Sequence, residues 1–468
     1  MGCSIPSAGS ILEGAPHRHP RAILRFMSGI AGILSPALVA SDADALGSML
    51  EAMCARSAVH RHTFAHHHVV AGTVAHPSLP STATPVWNED RTVALLFSGE
   101  EYNILHAGSD PIPLLKLYDQ EGPACFRRLN GWFSGLLIDL HRDSATLFND
   151  RYGMGRIYYH ATNQTFAFAS AARALLAVHP TTRELNPQSL AEYVSVGCVL
   201  QHRSLFRDIH LLPPASAWTF HRDGRIEKRS YFTPAEWEQQ ERLPAPAYAE
   251  RLREVFAGIM PRYLAGNQQT ALSLTGGLDS RMVLAWAKAA PGTLPCYTFG
   301  GPYRDCADVK IARALAKITH QPHSVLPIEP DFFRNFAELA QETIRISDGT
   351  MDVSGAVELY MNRKAAAIAP VRLTGNYGSE ILRSNVAFRP RRLDRSLYTP
   401  EFNHLLDGAE DTYRSEAKGH RLSFIAFKQV PWHHYSRYSV EKALLTPRSP
   451  FLDNDLVALA YQTPPGSE

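Results

Sequence analysis

Residues 271–287, Ala-Leu-Ser-Leu-Thr-Gly-Gly-Leu-Asp-Ser-Arg-Met-Val-Leu-Ala-Trp-Ala, set an apolar strand, a Gly-Gly turn and an apolar helix back to back. Thr275, Gly276 and Gly277 carry no bulky side chains, so their backbone N–H groups can approach a polyanion closely. The helix opening near Ser280 turns its positive end toward the same point, which predicts a nucleotide pyrophosphate site. A kinase-type phosphate loop needs G-x-x-x-x-G-K-[ST], and this stretch lacks that Lys. A ligand-free strand-to-helix turn is the competing reading.

The elements around this turn alternate. Tyr248–Arg262 reads as an amphipathic helix, Ala271–Leu274 as a strand and Arg281–Ala289 as a helix. Pro295–Phe299 reads as a strand, Asp308–Ile318 as a helix and Val371–Leu373 as a strand. Such alternation predicts a parallel α/β sheet with ligands at the carboxyl ends of its strands, where Thr275 lies. The first half differs. Short β-like runs fill it (Gly29–Leu34, Val69–Ala75, Val93–Ser98, Phe133–Asp139, Ala145–Asn149, Ile157–His160 and Phe166–Ser170), with helices only at Ala43–Ala55 and Ile112–Tyr118. This half is expected to be a layered α+β domain on antiparallel sheets.

At 468 residues the chain is too long for one ordinary core. The boundaries read as an extension over 1–26, rich in Pro, Gly, Ser, His and Arg, or a misassigned start. A domain over 27–215, a linker over 216–246 and a second domain over 247–468 follow. Net charge is +2 with acids and bases interspersed, which recommends neither nucleic acid nor membrane as a partner. The six cysteines form no C-x-x-C pair, consistent with a reducing, cytoplasmic setting. Arg18 to Arg25 before the apolar run Ile30–Ala40 imitates a signal peptide, but Gly29, Gly32 and Pro36 interrupt the pattern.

The turn Thr275–Ser280 resembles the PP-loop S-G-G-x-D-S of enzymes that split ATP between its α- and β-phosphates. More widely, the chain from Met27 resembles the asparagine synthetase family, a glutamine amidotransferase domain joined to a PP-loop synthetase domain. Met27-Ser28-Gly29-Ile30-Ala31-Gly32-Ile33 stands for the family's M-C-G-I-A-G-I, and Phe97-Ser98-Gly99-Glu100-Glu101-Tyr102-Asn103 for its F-N-G-E-I-Y-N. Leu129-Asn130-Gly131-Trp132-Phe133, Asp150-Arg151-Tyr152-Gly153, Phe168-Ala169-Ser170 and Pro450-Phe451-Leu452-Asp453 continue the match. The resemblance implies an amidotransferase-like antiparallel sandwich of the N-terminal-nucleophile (Ntn) type, then an ATP-pyrophosphatase α/β domain with a parallel sheet.

It also implies roles. ATP and Mg²⁺ are the expected cofactors, with Leu274, Thr275, Gly276, Gly277, Leu278, Asp279, Ser280, Thr298, Phe299 and Gly375 around the nucleotide. Asp279 and Glu380 are the expected metal ligands. The family's glutaminase nucleophile is an N-terminal Cys; here Ser28 stands in its place, a poorer nucleophile near neutral pH. The oxyanion Asn of the family is Ser98, and the Arg that clamps glutamine, expected just after Ala75-His76, is Ser78; only Gly99 and Asp110 remain of that pocket. Glutamine hydrolysis is therefore expected to be lost unless Ser28 is exposed and active.

Leu373-Thr374-Gly375-Asn376-Tyr377-Gly378-Ser379-Glu380 occupies the place of L-S-G-E-G-S-D-E. The family's catalytic Glu aligns with Asn376 and its metal-binding Asp with Ser379, which leaves Glu380 as the nearest carboxylate. The Arg that holds free aspartate aligns with Val353. Glu380, Asn376 and Ser28 are thus the catalytic candidates. Members with this pattern, the β-lactam synthetases and lasso peptide cyclases, close an amide within one substrate. An AMP-forming carbon–nitrogen ligase acting on a peptide or small carboxylate is the leading expectation, with a precursor peptide and a companion maturation protein as partners. Asparagine synthesis from aspartate and an inactive ATP-binding scaffold are the alternatives. The family usually places a Lys on a helix beyond P-F-L-D, so a C-terminally shortened synthetase domain is expected.

Three further clusters stand out. His60, His62, His66, His67 and His68 form a ligand inventory, read as a solvated edge or loop because no spaced Cys or carboxylate supports a metal. Trp432-His433-His434-Tyr435 reads as aromatic packing, with a cleft role as the alternative. Arg389, Arg391, Arg392 and Arg395 read as a solvated basic face.

Overall fold

The computed structural model describes residues 28–54, 60–75, 85–105, 111–301 and 305–466. The expectations placed on residues 1–27, His76, Ser78 and Asp110 lie outside them. Two six-stranded antiparallel sheets form the first domain. Strand alternation explains how they stack. Ile30 and Leu34 of Gly29–Leu34 meet Ala94, Leu96, Leu136, Ile138 and Leu147 of the second sheet, with Phe166, Phe168, Trp218 and Phe220 closing the layer between. Ala31 and Ile33 face the other way, onto the helices Ala40–Met53 and Ala172–Val178. The apolar run that imitates a signal peptide therefore begins as a strand, buried at every position from Gly29 to Leu34.

The outer face of the second sheet does not meet solvent. Leu95, Phe97, Phe133, Leu137 and Phe148 join one continuous core with Phe256, Tyr263, Leu272, Leu373 and Phe451 of the second domain. One boundary needs correcting. Ser216–His221 and Ile226–Ser230, assigned by sequence to a linker over 216–246, pair with each other and extend the second sheet past Phe148. The Leu-Leu-Pro-Pro stretch that suggested an exit is a turn within the domain.

The second domain carries a five-stranded sheet, all its pairings parallel, in the order His323–Leu326, Cys296–Phe299, Thr270–Ser273, Val371–Thr374, Thr446–Arg448. The chain leaves the central strand Thr270–Ser273 toward one edge, then returns to its other side at Val371–Thr374. Strand order reverses there, and such a reversal opens a crevice at the carboxyl ends of the two strands. Among the described residues, no helix is long and apolar enough to cross a membrane.

Candidate functional site

The crevice is a cavity of about 500 Å³ lined by the loops that follow Thr270–Ser273 and Val371–Thr374. Two glycines let these loops interlock. A Cβ at Gly375 would lie 2.5 Å from the Ser280 nitrogen, and one at Gly378 would lie 2.5 Å from Asp279 Cγ. Neither contact is tolerable, so only glycine allows the second loop to close onto the first. Tyr377, between them, takes a left-handed φ of 71°.

The Gly-Gly turn is held from within. Ser280 Oγ accepts from the Thr275 N–H at 3.1 Å, and Thr275 Oγ1 accepts from the Gly277 N–H at 3.1 Å. The Gly276 N–H donates to Asp308 Oδ1 at 2.9 Å, so a carboxylate already rests on this amide. Gly277 is the N-cap of the helix Leu278–Ala287, which starts two residues before Ser280 and has no side-chain cap. Its first amides are left for an anion.

Of the residues expected at the nucleotide, metal and catalytic positions, Leu274, Thr275, Gly277, Asp279, Ser280, Thr298, Phe299, Gly375, Asn376 and Glu380 line this one cavity. Gly276 and Leu278 do not. Leu278 is 60% exposed, because the first turn of the helix points its side chain outward, so it offers backbone only. Ser28 belongs to the first domain, where its Oγ is buried with no hydrogen-bond partner and its carbonyl accepts from Ser98 Oγ at 2.9 Å. Val353 is 49% exposed and off the cavity wall.

Asp279 carries the site's main electrostatic contact. Arg383 Nη2 lies 3.3 Å from each of its oxygens, and Ser379 Oγ donates to Oδ2 at 2.9 Å. A guanidinium thus reaches the carboxylate from one helical turn beyond Ser379. Burial pushes the Glu380 carboxyl above its usual range, and the nearby Asp279 charge adds to the shift. A cation between the two carboxylates would relieve that repulsion. Their all-oxygen donor set, with the Ser379 hydroxyl, suits Mg²⁺.

Sequence reading missed several wall residues: Asp308 as a loop anchor, Arg372, Arg437, Tyr438 and Glu441. Arg372 left a signal, since a charge inside the fully buried strand Val-Arg-Leu-Thr must have a partner. It pairs with Glu441 at 3.2 Å and donates to Asn362 Oδ1 at 3.0 Å. His434 ends a π-helix, Ile425–His434, that contains Pro431. Arg156 of the first domain donates to the Pro431 carbonyl, and its guanidinium stacks 3.4 Å from the Tyr435 ring centroid. His434 lies 3.8 Å from Glu380 Oε1 and edge-on to Tyr377, and burial drives its pKa down to about 3, so it is a neutral imidazole. The cleft role, the lesser reading of Trp432–Tyr435, therefore holds for His434, while His433 stacks on Phe388 in the packing role.

The arrangement can hold a polyphosphate on a helix N-terminus beside an oxygen-liganded cation. Residues 27–232 match the glutamine amidotransferase domain family, and residues 251–468 match the asparagine synthase family. Asparagine synthetase [glutamine-hydrolyzing] 1 of Bacillus subtilis is 22% identical over 314 residues, 64% of this chain and 48% of that protein. A putative asparagine synthetase [glutamine-hydrolyzing] 2 of Methanocaldococcus jannaschii is 23% identical over 309 residues, 62% of this chain and 58% of that protein. The chain spans about half the length of these curated relatives. A solved glutamine phosphoribosylpyrophosphate amidotransferase of B. subtilis gives a weak likeness, with a TM-score of 0.30 at 11% identity over 64% of this chain and 65% of that one. The two domain matches, in this order and over these motifs, place the chain in the asparagine synthetase family.

Proposed function

We propose that the protein is an ATP-dependent carbon–nitrogen ligase that activates a substrate carboxylate and releases pyrophosphate and AMP. The observation that carries this reading is the convergence of the Gly-Gly turn, Asp279 and the Thr374–Glu380 loop on one cavity at the strand-order reversal. About 500 Å³ lies within the range of small-ligand pockets, and the uncapped helix start fits a pyrophosphate. Bound Mg·ATP supplies an electrophilic α-phosphorus for the carboxylate and a pyrophosphate leaving group, giving an acyl-adenylate that an amine converts to the amide.

The chain's own residues position and exclude. Thr275, Gly277 and Ser280 orient the leaving phosphates by backbone and hydroxyl contacts, and Asp279 with Glu380 holds the cation. Neutral His434 lines the wall 3.8 Å from Glu380 Oε1 and adds no charge to compete with the cation. Tyr377 and Tyr438 wall the cavity against water on the side facing the first domain.

The substrate reading is that amine and carboxylate belong to one peptide, so that proximity supplies much of the acceleration. Three features favour it over free aspartate: Asn376 and Ser379 in place of acids, Val353 away from the cavity, and Ser28 and Ser98 in place of the glutaminase residues. Aspartate amidation is the second reading, favoured by the names of the relatives. ATP/pyrophosphate exchange by the purified chain separates them. Exchange that needs a peptide carboxylate supports cyclisation, and exchange stimulated by aspartate supports asparagine synthesis. With no exchange under either condition, the proposal fails. Release of glutamate from glutamine would overturn the loss of glutaminase activity.

A further inference from the structure

We propose that the His66–His68 turn and Asp143 form a binding site for a divalent transition-metal ion of the Zn²⁺ class, which pins together the two sheets of the first domain. The histidines join the edge strand His60–His66 to Val69–Ala75 in the first sheet. Asp143 sits in the turn between Gly131–Asp139 and Ser144–Asn149 of the second sheet.

Neighbouring residues of an extended strand point to opposite faces. His67 has a left-handed φ of 42°, which breaks that alternation and brings the His66 and His67 rings to a centroid separation of 3.9 Å. His66, His67 and Asp143 each offer a ligand atom, all within 4.8 Å of one another. Asp143 Oδ1 lies 3.1 Å from His67 Nδ1 and 3.7 Å from His68 Nδ1. Tetrahedral zinc with bonds of about 2.0–2.1 Å sets its ligand atoms about 3.4 Å apart. The His67–Asp143 separation is close to that value, and all three ligand atoms fall within 4.8 Å of one another.

His68 is the independent observation. It is 3% exposed, and neither ring nitrogen has a hydrogen-bond partner of acceptable geometry, although the Phe220 backbone lies near enough to favour its charged form. A buried imidazole without a partner is costly, and its Nδ1 lies 3.7 Å from Asp143 Oδ1, directly beside the three-residue ligand set, where an ion would polarise it. Arg222 occupies Asp143 Oδ2 at 3.2 Å and leaves Oδ1 to the histidines. Two imidazoles with one carboxylate, from His66, His67 and Asp143, favour a borderline-soft ion over Mg²⁺.

The test is calorimetric titration of the chelator-treated full chain with Zn²⁺, with Mg²⁺ as control. We expect uptake of one Zn²⁺ per chain, a rise in thermal midpoint with zinc, and no response to Mg²⁺ at this site. His67→Asn with Asp143→Asn should weaken zinc binding by more than the ~10–100-fold that loss of an outer-shell partner costs. His62→Asn, on the same strand but outside the cluster, should leave it intact. Absent stoichiometric uptake, or weakening by His62→Asn equal to that of His67→Asn, overturns the site. Co²⁺ probes the unaltered protein directly: four-coordinate visible bands support the proposal, and a six-coordinate spectrum refutes it.

Discussion

Replacing Asp279 with Asn separates a charge that acts on a ligand from one that only holds a loop. The carboxylate faces Arg383, whose side chain is 53% exposed, so losing the pair costs on the order of 1 kcal/mol or less. Asn keeps the size and still accepts from Ser379 Oγ. Toward nucleotide, the charge acts in two opposite directions. Against metal-free ATP it repels: two unit charges about 5 Å apart at an effective dielectric of about 20 differ by ~3 kcal/mol, less after screening by salt. Removing it also frees Arg383 for the phosphates. Against Mg·ATP the carboxylate is a metal ligand, and loss of a charge-assisted contact costs ~1.5–3 kcal/mol, or ~10–150-fold in Kd. The D279N variant should therefore bind metal-free α,β-methylene ATP more tightly than the parent and its magnesium complex ~10–150-fold more weakly. Calorimetry in EDTA and in excess Mg²⁺ measures both. If the two affinities fall together, Asp279 is only a loop anchor; if neither moves, the nucleotide does not sit at this turn and the reasoning is wrong.

Gly378→Ala leaves an ordinary backbone conformation but drives a Cβ against the Asp279 carboxylate, so Mg·ATP binding should weaken by calorimetry while the thermal midpoint stays near the parent's. Glu100 grips Arg448 at 2.8 and 2.6 Å, with Arg448 3% exposed, so Glu100→Gln should cost ~3–5 kcal/mol in urea unfolding. Adding Arg448→Met should recover part of that loss, and strict additivity would show that the pair does not couple the domains. Burial holds the Lys442 pKa at about 8 against an ordinary 10.5. Between those values the unfolded chain keeps a proton that the folded chain has shed, so stability rises with pH across the window. Lys442→Met should stabilise most below pH 8 and lose its advantage by about pH 10.5, as followed by thermal melts across that range.

Much of the candidate site was legible because its chemistry is local. The turn Thr275–Ser280 and the strands on either side lie in one short segment, and backbone reach and helix polarity follow from residue type. The residues that escaped reach the cavity through topology. Asp308 joins the loop from a helix beyond the next strand, and Glu441 arrives on the distant helix Tyr435–Lys442, which a π-helix without a pattern of its own sets in place. Arg383 was missed for another reason: the family pattern drew attention to the acid lost at Ser379, not to a cation one turn later that takes up the charge of Asp279. The boundary after residue 215 failed because paired prolines read as a stop, whereas Ser216–His221 extends a sheet whose first strand is Val86–Trp87, 130 residues earlier.

The first domain's motifs make sense when sorted by what they touch. Glu100 binds Arg448, Tyr102 packs 4.4 Å from Tyr263, and Asn130 Nδ2 donates to Asp453 Oδ2 at 2.8 Å. Glu101 accepts the amides of Asn103, Ile104, Leu105 and Asn130, which shapes the surface that these residues present. Gly99 has φ 118°, and a Cβ there would lie 2.1 Å from the Trp132 carbonyl, so the strand crossing itself demands glycine whether or not an oxyanion ever binds. Trp132 then stands edge-on to Tyr438 at 5.2 Å and Tyr377 at 6.0 Å, on the wall of the nucleotide cavity. The family motifs kept at these positions are interface, whereas Ser28 and Ser98, where the glutaminase pattern breaks, contact chiefly each other. A domain whose contacts fix Tyr377 beside Asn376 is held in place by the cavity it supports, and that demand does not depend on glutamine chemistry.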